Sequence, residues 1–109
     1  MPATLRKAAK ETVRMKVSLD FPKQNEIIHS PCYTLRIAAP ENAQKVEVSI
    51  DQGPWQLCRP SVGYWWFDWS NFADGEHEAI AHIETREGRR FTTEPHEFFV
   101  DLHPKAVKN

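Results

Sequence analysis

From residue 17 onward, apolar and polar positions alternate in short runs, and each run ends at a turn-forming residue. Val17-Ser18-Leu19-Asp20-Phe21 alternates and then meets Pro22, as an edge strand does, because proline has no N–H to give a ladder. Ile27-Ile28 fits a second short edge segment. In Tyr33-Thr34-Leu35-Arg36-Ile37 every second residue is apolar, which places the apolar set on one face of a strand. Pro40 and Asn42 mark the loop that follows. Residues 45–51 alternate most cleanly, with Val46, Val48 and Ile50 on one side and Glu47, Ser49 and Asp51 on the other. Asp51-Gln52-Gly53-Pro54 predicts a tight turn in which Gly53 supplies the positive φ, and residues 55–59 form the returning hairpin arm. Residues 59–63 lead into the strand Tyr64-Trp65-Trp66-Phe67-Asp68-Trp69, and residues 70–76 make a corner closed by Asp74-Gly75. Residues 77–85 read as a long strand, 86–90 as a turn and 91–101 as a last strand interrupted by Pro95.

About seven short strands separated by turn signals, with no helical period after residue 16, predict an all-β sandwich or barrel. Its inward set is Tyr33, Leu35, Val46, Val48, Ile50, Trp65, Phe67, Ala79, Ala81, Ile83 and Val100. The sandwich spans residues 17–102, between a basic arm at 1–16 and a tail at 103–109. Thr4 is a possible N-cap in the arm, but the apolar content there is too thin for a stable helix, so disorder is expected.

A chain of 109 residues has room for one domain. No stretch approaches the ~20 apolar residues of a membrane-spanning helix, and the N-terminus lacks the apolar segment of a secretory signal. No membrane contact and cytoplasmic residence are the resulting expectations. Cys32 and Cys58 are too few for a disulfide framework; both should be free thiols, with a Cys32–Cys58 bridge as the alternative. His29, His77, His82, His96 and His103 are scattered, so neither a metal nor a cofactor is expected. Residues 17–104 carry 7 basic and 14 acidic side chains, a balance that argues against nucleic acid. Glu76, Glu78, Glu84 and Glu87 are read as a solvated edge rather than as paired catalytic carboxylates. Cys58 beside His77 or His82 is weighed as a nucleophile and set aside, and no Gly-rich phosphate loop occurs. The chain is therefore expected to bind rather than to catalyse.

The segments VEVSIDQGPWQ, YWWFDWSNFADGEHEAIAHIETREG and FFVD together resemble bacterial immunoglobulin-like modules. The resemblance rests on Val46, Val48, Ile50, Asp51, Gly53 and Trp55, then on Phe67, Asp68, Phe72, Asp74, Gly75, His77, Ala79, Ala81 and Gly88, and last on Phe98, Val100 and Asp101. It implies an all-β, immunoglobulin-like antiparallel sandwich of about seven strands, used as a spacer, an interaction module or a carbohydrate-contacting appendage.

One strand stands out. If Trp65, Phe67 and Trp69 point inward, Tyr64, Trp66 and Asp68 face the other way, where a sandwich is normally polar. Either the arm or cross-strand pairing with Trp55 or Ile80 covers Tyr64 and Trp66, or they form an exposed binding patch that Phe99 extends. Asp68 is expected to accept backbone N–H bonds near Asn71 and Phe72. The candidate binding residues are thus Trp55, Tyr64, Trp66 and Phe99. The leading function is docking of an unknown protein partner through this patch or a sheet edge. The alternative is a glycan stacked on Trp66, Tyr64 and Trp55.

Overall fold

The computed structural model describes residues 17–103. The basic arm, and all of the tail except His103, lie outside the described residues. Ten strands form: β1 Ser18–Phe21, β2 Ile27–Ile28, β3 Cys32–Ala38, β4 Ala43–Ile50, β5 Gln56–Leu57, β6 Arg59–Ser61, β7 Tyr64–Ser70, β8 Gly75–Thr85, β9 Arg90–Thr92 and β10 His96–Val100. They pack as a four-stranded sheet, β1-β3-β7-β6, against a six-stranded sheet, β2-β10-β8-β4-β5, with β9 added alongside β8. The first sheet and the β4-β8-β10 core of the second have the order of the ABED and CFG sheets of an immunoglobulin constant-type sandwich.

The sandwich expected from the alternation is present, with three corrections. Ten strands replace about seven, because two of the expected strands each divide into two short ones. Residues 55–59 are not one hairpin arm: β5 pairs with β4, and then at Cys58 the chain crosses to the other sheet, where β6 pairs with β7. The last strand divides at Pro95 into β9 and β10, which lie end to end along β8. The pairing is antiparallel except for β2, which runs parallel to β10.

The β4–β5 turn differs as well. Asp51 and Gln52 hold the positive φ values, 55° and 62°, while the Gly53 N–H donates to the Ile50 carbonyl at 3.0 Å. Positive φ at both central residues is the primed geometry that matches strand twist in a hairpin. Gly53 is needed for space instead: a Cβ there would lie 3.1 Å from the Ile50 carbonyl oxygen.

Leu35, Val46, Val48, Ala79, Ala81, Ile83 and Val100 are buried as the alternation requires. Tyr33, Ile50, Trp65 and Phe67 close the margins of this core half-buried. Leu19, Ile28, Ile37, Cys58 and Phe98 complete it. The chain enters at the end of the sandwich where Ala43 pairs with Thr85, since Ser18 lies opposite Ala38 just before the β3–β4 loop. It leaves at the opposite end, where Val100 pairs with Gly75 and the Leu102 N–H donates to Asp74.

Candidate functional site

The four candidate residues divide between the two outer surfaces of the sandwich. Tyr64 and Trp66 lie on the four-stranded sheet, opposite Ser61 and Arg59 of β6, with Arg36 of β3 on the other side of Trp66. The Arg36 guanidinium sits over the Tyr64 ring, 4.2 Å from its centre, and also over Phe21 at 4.8 Å. Asp20 holds that guanidinium at 3.2 Å. The Trp66 Nε1–H donates to the Ser61 carbonyl at 2.9 Å, and Tyr64 meets Trp66 edge-on at 74°. Both aromatics are half-buried, the Tyr64 ring beneath the Arg36 guanidinium. Neither Trp55 nor Ile80 covers them, as both belong to the other sheet.

Asp68 is also reassigned. It is exposed on this face, accepts from Thr34 Oγ1 at 3.0 Å and pairs with Arg59 at 3.2 Å, rather than capping the following corner. The register explains this, because Thr34 is directly opposite Asp68.

Trp55 and Phe99 project from the six-stranded sheet. Trp55, 43% exposed, lies flat on His82, with ring centres 4.0 Å apart. His82 in turn donates from Nε2 to Glu47 at 2.7 Å, which holds the imidazole in place beneath the indole. Leu57, two residues along, is exposed on the same side opposite Glu47. Phe99, 37% exposed, pairs in register with exposed Ile27 on one flank and Glu76 on the other. Among the described residues, four of the five exposed large hydrophobic side chains therefore lie on this side of the sandwich; Val62, at the β6–β7 turn, is the fifth.

Between the sheets, at the end where the chain leaves, Trp69 stacks on Phe72 at 3.9 Å and meets Phe98 edge-on. His77 stacks on Phe98 and places Nδ1 against the Asp51 carboxylate and Nε2 against the Ala73 carbonyl, each at 2.7 Å. Asp51 accepts the Glu78 N–H with its other oxygen. This network ties the β4–β5 turn to the β7–β8 corner. It gives a structural reason for two residues of the sequence motif, Asp51 and His77.

Among the described residues no group of three or more His, Cys, Asp or Glu side chains is arranged to hold a metal ion. Cys32 is exposed and Cys58 buried, both as free thiols. Burial, and then the charge of Glu47, push the Cys58 thiol from its usual 9.0 up to about 12. A thiol reagent at neutral pH is therefore expected to modify Cys32 quickly and Cys58 only after unfolding; two equally fast thiols would contradict the buried site. In the unfolded chain Cys58 ionises near its ordinary value, so above it the unfolded state alone loses this proton. Stability is unaffected by this group below about pH 9 and falls as pH rises toward 12. Tyr33 acts in the same direction, its phenol raised by burial and by its bond and proximity to Glu26. Melting temperatures recorded from pH 8 upward are expected to decline, less steeply for Cys58→Ala.

The sheet edges are poor templates for an added strand. β5 has two residues between Pro54 and Pro60, β6 contains Pro60, β2 has two residues, and β1 is interrupted by a bulge between Leu19 and Phe21.

By sequence the chain matches no family model and no curated protein. By structure it is similar to fibronectin(III)-like modules of Clostridium thermocellum CbhA, at 15% identity and a TM-score of 0.68, over 81% of this chain and 98% of that one. It is also similar to part of a modular endo-β-1,4-mannanase from Cellulomonas fimi, at 18% identity and a TM-score of 0.62, over 78% of this chain and 18% of the enzyme. An engineered protein matches at 21% identity and a TM-score of 0.66, over 79% of this chain and 20% of that one. The chain thus spans about a fifth of the length of the last two proteins. Sheet order and these likenesses agree: the chain folds as a fibronectin-III-like, immunoglobulin-like β-sandwich module.

Proposed function

We propose that the chain is a non-catalytic accessory module that docks a partner protein through the outer surface of its six-stranded sheet. One observation carries this reading: Trp55, Leu57, Phe99 and Ile27 are exposed there, whereas on the opposite sheet Tyr64 and Trp66 are half-buried, Tyr64 beneath Arg36 and Trp66 tied to the Ser61 carbonyl. Aromatic side chains on a rigid sheet supply contact area at little entropic cost, and they are frequent interface anchors. The blunted edges favour docking through the face over strand addition. Likeness to the CbhA modules and to part of a modular mannanase supports an accessory role beside other domains.

The glycan reading has less support. Tyr64 and Trp66 are steeply inclined to each other, and Trp55 is on the other side of the sandwich, so the three do not form a common stacking platform.

Affinity capture with the full chain, compared with Trp55→Ala/Phe99→Ser and Tyr64→Ala/Trp66→Ala variants, tests this reading. The expected result is a protein partner lost with the first pair and kept with the second, and no change in tryptophan emission across a glycan panel. Retention by the first pair, or a saturable glycan-induced emission change, would reject it.

A further inference from the structure

The charge on this docking surface is not evenly spread, and the imbalance bears on what it binds. At the end near Ala43 and Thr85, Lys45 pairs with Glu84 at 3.8 Å, and Arg90 lies opposite Glu84 in register. At the other end, Asp51, Glu76, Glu78 and Glu97 surround a hollow of about 400 Å³ walled by Phe99. Glu78 lies directly opposite Glu97, and like charges so placed oppose folding. Among the described residues no Lys or Arg forms an ion pair with Glu76, Glu78 or Glu97; Gln52 alone donates to Glu78, at 3.5 Å.

The carboxylates adjoin an apolar surface rather than open solvent. Phe99 stands beside Glu76 and Ile27, and Ile80 follows Glu78 on the outward side of β8. An aliphatic stem ending in a cation fits both components, with the methylenes on Phe99 and the charge among the carboxylates. Lysine and arginine have that form. Trp55 and Leu57 provide a second apolar contact across β8 and β4. Strand spacing and rise put Trp55 roughly 20 Å from Phe99 along the diagonal. A small polyamine offers only short methylene runs between its charges and no bulky apolar group for that second contact, whereas a protein segment about 14 residues long in helical form covers the distance.

Resting on the docking surface proposed above, we propose that its partner is a basic amphipathic protein segment. Such a segment places Lys or Arg side chains in the Glu76–Glu78–Glu97 hollow beside Phe99 and an apolar group against Trp55.

Two synthetic peptides of about 14 residues, one of leucine and lysine and one of leucine and glutamate, serve as probes in calorimetry at low salt. The leucine–lysine peptide is expected to bind and the leucine–glutamate peptide to fail. Glu78→Lys/Glu97→Lys is expected to weaken binding at least ~10-fold, with Phe99→Ser similar and Tyr64→Ala neutral. If the reversal disturbs folding, Glu78→Gln/Glu97→Gln should still weaken binding, and high salt should do the same. Equal affinity for both peptides, lost in Phe99→Ser, would overturn the charge selectivity while leaving the docking surface intact. Binding lost only in Tyr64→Ala/Trp66→Ala, or no binding of either peptide, would remove both. Sedimentation of the chain alone covers one further case: a dimer dissociated by the double reversal would assign the surface to a second copy and overturn a separate partner.

Discussion

Phe98→Ala is expected to cost about 3–5 kcal/mol, the range for deleting a fully buried aromatic ring. Among the described residues Phe98 is the largest fully buried side chain, and its ring holds Trp69 edge-on and His77 face-on. Removing it opens a void at the closed end of the sandwich, bordered by groups that belong to both sheets. Trp69 cannot simply collapse into the space, because it also stacks on Phe72, and the His77 ring is fixed at both nitrogens. Against a total stability of about 5–15 kcal/mol, the loss is a large share, and the melting temperature should drop by well over 10 °C. Phe98→Leu keeps most of the volume and should cost less than about 1.5 kcal/mol. The neighbouring Phe99→Ala is the natural control, since that ring faces solvent and its loss leaves no internal void. Chemical denaturation of the three variants checks the order; equal costs for Phe98→Ala and Phe99→Ala would contradict the assigned faces.

Asp51→Ala is expected to cost about 2–4 kcal/mol despite the exposure of its carboxylate. Three effects act together. The Glu78 N–H loses its acceptor, the His77 Nδ1–H loses its partner, and alanine must adopt the φ of 55° that Asp tolerates. Asp51→Asn should recover more than half of the loss, because asparagine accepts the Glu78 N–H and is at ease at positive φ. Urea denaturation of both variants separates the contributions. A harmless Asp51→Ala would mean that the Asp51–His77 link contributes little, and that the two segments are held by the aromatic packing alone.

The strands that carry most of the core could be read directly from the residues. At 33–37, 45–51 and 77–85 each strand has one buried face, so burial writes itself into the sequence with a period of two. The pairing of Asp51 with His77 was legible only as a motif; its cause became visible once the turn and the corner were seen to meet at 2.7 Å. β6 escaped because Pro60 reads as a strand breaker and Val62-Gly63 does not read as a hairpin turn, Val62 being β-branched yet held at φ 43°. The candidate site was half legible. Alternation placed Tyr64 and Trp66 outward, but not the guanidinium that covers Tyr64, since Arg36 reaches it only through the β3–β7 register. Read from the sequence, Trp55 joins Tyr64 and Trp66, as a cross-strand cover or as part of one stacking platform. One residue, Cys58, takes the chain from one sheet to the other and separates them.

The parallel pairing of β2 with β10 has a mechanical consequence. A pull between Val17 and His103 draws β2 toward its start and β10 toward its end, so the two strands are dragged past each other lengthwise. Backbone bonds from Asn25 to Glu97, Phe99 to Glu26 and Asp101 to Ile28 lie across that motion and are strained simultaneously instead of being unzipped in turn. β1, held to β3 by a short, bulged ladder, would slip before them, leaving a body still closed by the β2–β10 clasp and by β8 behind it. Under tension the sandwich should therefore lengthen by one strand and then resist as a unit.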